Sequence, residues 1–557
     1  MGEHYTKGRN PIARVLHVLK LEKKEISAIY FYAMISGLVQ LSLPLGIQSI
    51  ISFVLGGAIS TSLVVLIALV VLGVFLNGFV SVNQMRLIEK VQQKLFVRYS
   101  FEYANRIPRL DLKSVDHYYL PELVNRFFDT ISLQKGISKL LLDIPTATIQ
   151  ILFGMLLLSF YHPIFIAFSV FLILLVSLIL YFSAPRGMET SIRESVYKYK
   201  VAGWLEELAR VIKSFKFSKG TQLNLKQTDN LVSGYLEART SHFKILIFQY
   251  WTLIGFKVLI TAAMLIVGSY LLISQQLNIG QFIAAEIVVL LVINSVEKLI
   301  IHLDKVYDVL TSVEKLSLVI DQPVDEDGNI PLAKKSTGIA IQVQNLSFTY
   351  DKKEILKNIS FVAEPGQKIA IMGDEGSGKS TLLRVISGAY ADFSGTIMID
   401  NVPIRNYISD TFREQTGILL NQQDIFNGTL IDNITMGNQQ ISPNDIMILS
   451  EKIGLKNFLE EQQDGFATIL DPVGHRLSRN VIQKILLLRA LINQPRLLLL
   501  EEPWTNLEDN HRHDIQQYIL SDCPGTTVIV ATSDMDFIKK CDHVLYLAEG
   551  SLTSASK

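Results

Sequence analysis

The chain has 557 residues, 49% of them apolar and only 19% charged, with 52 basic side chains set against 52 acidic ones. That length exceeds a single hydrophobic core, and a mean hydropathy of +0.31 with so few charges excludes a disordered chain and points to a membrane protein. A formal charge of zero gives no global attraction to nucleic acid, and Cys523 and Cys541 are the only cysteines, too few for a disulfide framework, so they read as reduced cytosolic thiols.

In chain order, the first expected element is an interfacial helix over residues 11–21, where apolar positions alternate with Arg14 and Lys20. Six apolar runs follow, near 27–54, 62–82, 139–160, 163–184, 245–273 and 281–302. Each is long enough to cross a hydrocarbon core of about 30 Å at about 1.5 Å per residue. The first run follows Lys7, Arg9, Arg14, Lys20, Lys23 and Lys24 and exceeds the apolar core of a signal peptide, so no cleavable signal is expected. The connections at 55–61, 161–162 and 274–280 lack Lys and Arg, whereas those at 83–138 and 185–244 are rich in them. The positive-inside rule then places both termini in the cytoplasm. The basic connections are expected to carry helices beyond the membrane. In the first, Met85, Leu87, Ile88, Val91, Leu95 and Tyr99 recur at helical spacing.

Lys257 and Glu297 lie equally far from the turn near residue 277, so a hairpin of the last two spans sets them at similar depth, about 30 Å from the turn. They read either as a structural pair at the membrane edge or as a substrate or coupling site, and Glu286, inside its span, carries the same two readings. After the sixth span the polar, turn-rich stretch 321–338 reads as a linker. Strand-like runs at 367–372, 496–500 and 526–531 then alternate with helical patterns. The expected fold is an all-α, six-helix transmembrane domain over 1–320, followed by an α/β P-loop nucleotide-binding domain over 339–557.

The chemistry concentrates there. A buried strand over 368–372 runs into Gly373, Asp374, Glu375, Gly376, Ser377, Gly378, Lys379 and Ser380, and Thr381 opens a helix. This is G-x-x-x-x-G-K-S in its strand-loop-helix context. Successive backbone N–H groups would curl around the phosphates of ATP, helped by the positive end of the helix. Lys379 would pair with the β- and γ-phosphates and Ser380 would ligate Mg²⁺. A second apolar strand ends in Glu501 and Glu502, an acidic pair suited to holding the metal and orienting the attacking water.

Together these features resemble the ABC transporter family, specifically an exporter-type half-transporter with fused membrane and ATPase domains. The resemblance implies that Tyr350 stacks on adenine, that residues 424–434 follow the family's glutamine loop, and that Leu477 and Ser478 open its signature motif. It implies a cofactor set of ATP and Mg²⁺, catalysis at Glu502, and metal contacts from Ser380, Asn421 and Glu501. The departures are specific. Asn421, beside Gln422 and Gln423, replaces the metal-binding glutamine; Arg479, Asn480 and Val481 follow Ser478 where the family has Gly-Gly-Gln; and Glu501 and Glu508 each replace an aspartate. Ser533 replaces the switch histidine, and Pro472 and Val473 stand where exporters usually carry a charged pair. Serine donates one hydrogen bond but carries no charge, so slow turnover is expected.

The resemblance also implies a second half-transporter, in a homodimer or a heterodimer, whose signature completes each ATP site. Residues 116–129 and 220–231 would rest on the ATPase domains, and alternating access in the cytoplasmic (inner) membrane would move the cargo. Residues 41–48 and 277–283 look like the bacterial type I secretion and peptide-exporter branch. That branch implies an unprocessed peptide or protein cargo, with a periplasmic adaptor as a further partner beside membrane lipid. No cysteine precedes the lead-in helix, so the N-terminal cysteine peptidase of some peptide exporters is not expected. Lipid or hydrophobic-drug export is the alternative cargo, and an ATP-binding membrane regulator with little hydrolysis is the alternative function.

Overall fold

The computed structural model describes residues 11–553 apart from 57–60, 219, 352, 422, 472–476 and 524. Packing divides the chain into two compact units. One takes the chain up to Pro108 together with His117–Gln322; the other takes Arg109–Asp116 and the chain from Pro323 onward.

The first unit is all helix. The lead-in helix α1 (Pro11–Leu21) precedes α2 (Lys23–Gln40) and α3 (Ser42–Leu55). The helix breaks at Leu41 because Pro44 has no N–H to offer the preceding turn, and it sits instead in the first turn of α3, where none is needed. Then come α4 (Thr61–Arg106), the short α5 (Leu112–Val115) and α6 (Leu120–Asn125), α7 (Asp129–Tyr161), α8 (Ile164–Arg210), α9 (Ile212–Phe217), α10 (Leu223–Ile273), α11 (Ile279–Ile301) and α12 (Leu303–Ile320). With 46, 47 and 51 residues, α4, α8 and α10 are about 70–75 Å long, more than twice a hydrocarbon core, so the basic connections do continue the spans as helix.

Five helical stretches among the described residues are long and apolar enough to cross a membrane: Lys23–Leu55, Thr61–Arg109, Leu120–Tyr161, Leu223–Ile273 and Ile279–Ile320. The span expected at 163–184 lies on α8, whose apolar segment Ile164–Ile179 is shorter. Large side chains along α4, among them Val64, Leu69, Val71 and Phe75, face outward, an apolar surface that hydrocarbon suits and water does not. The chain is a multi-pass integral membrane protein. At the turn before α11, Asn278 and Gln281 form a reciprocal capping box that satisfies the first N–H groups of the helix. Lys257 and Glu297 meet at 2.7 Å, as their equal distance from that turn requires. Glu286 is half-buried and forms no ion pair among the described residues.

The second unit is built on two sheets. Its strands are β1 (Ile341–Tyr350), β2 (Lys353–Ala363), β3 (Lys368–Met372), β4 (Ser394–Ile399), β5 (Val402–Pro403), β6 (Thr416–Leu419), β7 (Gly428–Thr429), β8 (Ile469–Leu470), β9 (Leu497–Glu501), β10 (Thr527–Ala531), β11 (His543–Ala548) and β12 (Ser551–Thr553). An antiparallel sheet has the order β2-β1-β4-β5, and a six-stranded sheet the order β12-β11-β3-β10-β9-β6, parallel from β11 to β6. Both β9 and β10 are buried along their whole length, which is why they read as unbroken apolar runs rather than alternating ones. The crossover order places the carboxyl ends of β3, β10 and β9 side by side, the position where open α/β sheets bind ligands.

The segment carrying α5 packs within this second unit. Leu110 bridges Val324, the Asp111 N–H donates to the Pro323 carbonyl at 3.0 Å, and Lys113 pairs with Asp392 at 2.5 Å. Asp116 belongs to this second unit, and residues from His117 onward, with 220–231, belong to the first. Asp111 caps α5 by accepting from the Ser114 N–H, and this short turn carries Lys113 and Asp116 to their partners before the chain turns away.

Candidate nucleotide-binding and hydrolysis site

The loop after β3 leads into the helix α13 (Lys379–Ile386). Gly373 has φ +147° and a Cβ there would stand 2.1 Å from the Leu547 carbonyl oxygen, so only glycine fits. Gly378, at φ +105°, directly precedes α13. The Lys379 ammonium donates to the carbonyls of Gly373 at 2.6 Å and Asp374 at 2.8 Å, bridging the two ends of the loop over its concave side. The Ser377 hydroxyl is buried without a hydrogen-bond partner. An orphaned donor beside a lysine, at the start of a helix, suits phosphate oxygens.

Beside the loop, the buried Glu501 carboxylate at the end of β9 accepts from the Ser380 hydroxyl. It also accepts from the Asn421 backbone N–H at 2.9 Å and from the Asn421 amide at 2.7 Å. Neighbouring strands bring these residues together, since β6 runs parallel to β9 with Leu419 opposite Leu500. A hydroxyl, a carboxylate and an amide converging in this way form an oxygen-rich set that fits Mg²⁺.

One residue on, Glu502 has φ +42° and its N–H donates to the Ala531 carbonyl at 2.8 Å, which turns its side chain toward the end of β10. There it accepts from the Thr532 hydroxyl at 3.3 Å and from the Ser533 backbone N–H. Burial pushes the Glu502 carboxyl above its usual range, opposed by those two hydrogen bonds and by the Lys379 charge. Glu502 and Ser533 line one open cleft of about 420 Å³ with Thr505, Arg512 and Asp534.

Tyr350 ends β1. Its hydroxyl bonds both Asp116 and Tyr390, and its ring stands edge-on to Phe348 and Tyr390 at 5.4 and 5.6 Å. Ser478 stands apart from this group: it caps the helix Arg479–Leu491 by accepting from the Val481 N–H, and makes no hydrogen bond to the phosphate loop among the described residues. Thr381 lies in the first turn of α13. Gln422, Pro472 and Val473 lie outside the described residues. The structure adds two participants that the motifs did not name. Thr532 holds Glu502, and Asp116 holds Tyr350. A hydroxyl at a strand end beside an acidic strand end was the available signal for the first; nothing local signals the second.

Two family descriptions match the chain: the ABC transporter transmembrane region over residues 26–296 and the ABC transporter domain over residues 356–505. It is 28% identical over 335 residues to the alpha-hemolysin translocation ATP-binding protein HlyB of Escherichia coli, an alignment covering 59% of this chain and 47% of that protein. It is 29% identical over 293 residues to the leukotoxin translocation ATP-binding protein LktB of Mannheimia glucosida, covering 52% and 41%. The chain thus matches about half the length of these relatives or less. In structure it resembles a bacterial Atm1-family ABC exporter with ATP bound, at a TM-score of 0.85 and 18% identity, covering 96% and 94% of the two chains. The phosphate loop, the acidic strand end and the long membrane helices thus occur in a chain that belongs to the ABC transporter family, as a half-transporter with membrane and nucleotide-binding domains fused in one polypeptide.

Proposed function

We propose that the chain is one half of an ATP-driven exporter, working with a second half-transporter in the cytoplasmic membrane with both termini in the cytoplasm. The observation that carries this reading is the convergence of Lys379, Ser380, Glu501 and Glu502 at the carboxyl edge of one parallel sheet, in a chain with membrane-spanning helices. Lys379 and the loop N–H groups bind the phosphates. Ser380, Glu501 and Asn421 would hold Mg²⁺, which when bound neutralises phosphate charge. Glu502, its carboxyl raised by burial, accepts the proton of the attacking water. Ser478 serves the ATP of the partner. ATP closes the paired domains and product release separates them. The relatives' names, which speak of hemolysin and leukotoxin translocation, favour a peptide or protein cargo over a lipid or drug, and such a cargo would call for a periplasmic adaptor as a further partner.

A second reading, an ATP-binding membrane regulator with little turnover, is favoured by Ser533. Beside Glu502 it offers a main-chain N–H where a histidine would offer a ring nitrogen and charge. Loss of such a group slows a reaction by about 10²- to 10⁴-fold. The test is Mg·ATP hydrolysis by the full chain in lipid nanodiscs beside Glu502→Gln and Ser533→His. Turnover above the Glu502→Gln background, raised by Ser533→His, supports the exporter. Tight ATP binding with no turnover in either protein overturns it in favour of the regulator.

A further inference from the structure

The hydrogen bonds that the Glu502 side chain accepts among the described residues both come from the turn that ends β10. That turn is anchored in its own right. The Thr532 hydroxyl accepts from the Asp534 N–H at 3.2 Å, so its single proton is left to donate to Glu502 Oε2 at 3.3 Å. Thr532 is 1% exposed, so water cannot take the place of its hydroxyl. The Asp534 carboxylate is divided between two helices. Its Oδ1 accepts from the N–H groups of Asp536 at 3.0 Å and Phe537 at 3.1 Å, capping the short helix Met535–Ile538. Its Oδ2 meets Gln516 Nε2 at 2.9 Å and Arg512 Nε at 3.6 Å, both on the helix Asp509–Gln517. A cap needs one oxygen. The second, tied to another helix through the buried Gln516, fixes the turn itself.

A line of hydrogen bonds therefore runs from the helix Asp509–Gln517 through Asp534 and Thr532 to the Glu502 carboxylate. Glu502 is half-buried beside an open cleft, where an unheld side chain would leave the one rotamer that faces the water for others. We infer that Asp534 is a positioning residue for ATP hydrolysis: anchored on Gln516 and Arg512, it fixes the Thr532 hydroxyl, which in turn fixes the Glu502 carboxylate toward the attacking water. The inference rests on the proposed role of Glu502. The side chains of Thr532, Asp534 and Gln516 make no hydrogen bond to the phosphate loop among the described residues, so their loss falls on turnover and not on nucleotide binding.

The test is a double-mutant cycle on Mg·ATP hydrolysis by the full chain in lipid nanodiscs, read above the Glu502→Gln background. Thr532→Val keeps the shape and removes the hydroxyl. It should lower kcat about 10- to 100-fold, the effect of losing a hydrogen bond to a charged group, with KM for ATP within about twofold. Thr532→Ser restores the hydroxyl and should recover most of kcat. Asp534→Ser keeps a side-chain oxygen to cap Met535–Ile538 but is too short to reach Gln516 and Arg512, and should lower kcat about tenfold. Because Asp534 acts through Thr532, the doubly substituted chain should be no slower than Thr532→Val alone, whereas two independent structural losses would multiply. With turnover in the unmodified chain, multiplied losses, an unchanged kcat in Thr532→Val or Asp534→Ser, or no recovery in Thr532→Ser overturns the inference and leaves the proposed function standing. No turnover in the unmodified chain overturns that function, and the inference with it.

Discussion

Tyr350 lends itself to a separation of two roles within one side chain. Its ring is the proposed platform for adenine, whereas its hydroxyl is engaged with Asp116 and Tyr390. Stacking of a base on an aromatic ring contributes about 1–3 kcal/mol, which at about 1.4 kcal/mol per tenfold is a factor of about 5 to 150 in affinity. Tyr350→Ala removes the platform and should weaken ATP binding by that factor. Tyr350→Phe keeps the ring, which still packs edge-on against Phe348 and Tyr390. The lost hydroxyl frees Asp116, which is exposed and regains its hydrogen bonds from water, and leaves the hydroxyl of the buried Tyr390 unmatched, a cost to the stability of the fold that is the same with and without nucleotide. ATP affinity of Tyr350→Phe should therefore stay within about threefold of the unmodified chain. The assay is titration with a fluorescent ATP analogue, on the full chain in nanodiscs without Mg²⁺ so that no turnover intervenes. If Tyr350→Ala binds as tightly as the unmodified chain, Tyr350 is not the base platform. If Tyr350→Phe weakens binding as much as Tyr350→Ala, the hydroxyl network rather than the ring carries the affinity.

Other expectations concern the frame around the site. Arg496 donates to the carbonyls of Ala333, Thr337 and Gly338 and pairs with Asp400 at 2.7 Å, pinning the chain before β1 to the edge of β9. Arg496→Met should cost about 3–5 kcal/mol, as for a buried pair with one partner removed, and expose residues 333–340 to limited proteolysis; an unchanged digestion pattern would contradict this. Burial raises the Asp400 carboxyl, but Arg496, the Ala340 N–H and Lys335 outweigh it and hold it below its ordinary value. Its stabilisation is therefore present above about pH 4 and lost as the pH falls through the lower folded value, so Arg496→Met should flatten the acid limb of a stability profile. Burial pushes the Cys541 thiol up to about 12 and raises Cys523 as well. Since the thiolate is the reactive form, maleimide labelling of Cys541 at pH 8 should be at least about 10³-fold slower in the folded protein than in denaturant; fast labelling of the folded protein would refute this. Lys257→Met alone leaves the Glu297 carboxylate unpaired at the membrane edge and should lower yield in membranes, with Lys257→Met/Glu297→Gln recovering it. If the double variant fares no better, the 2.7 Å pair is not what stabilises the hairpin.

The amino-acid sequence by itself determined the features whose signals are local. Apolar runs longer than a bilayer located five membrane-length helical stretches, because hydrocarbon has no substitute for twenty apolar residues in a row, whereas the run expected at 163–184 met only the shorter apolar segment Ile164–Ile179. The glycine spacing from Gly373 to Gly378 marked the phosphate loop, because a left-handed backbone admits few other residues. Even the Lys257–Glu297 contact was within reach, since an antiparallel hairpin converts equal sequence distance into equal depth. What the tertiary structure decided are meetings between residues distant in sequence. Asn421 and Ser380 reach Glu501 across 80 and 121 residues because β6, β9 and α13 abut. Thr532 reaches Glu502 because β10 lies beside β9. The assignment of residues 109–116 to the nucleotide-binding unit rests on Lys113 meeting Asp392 across 279 residues. Periodicity reports which face of an element is buried but not which element covers it, and that choice is made only when the sheet order and the helix packing are set.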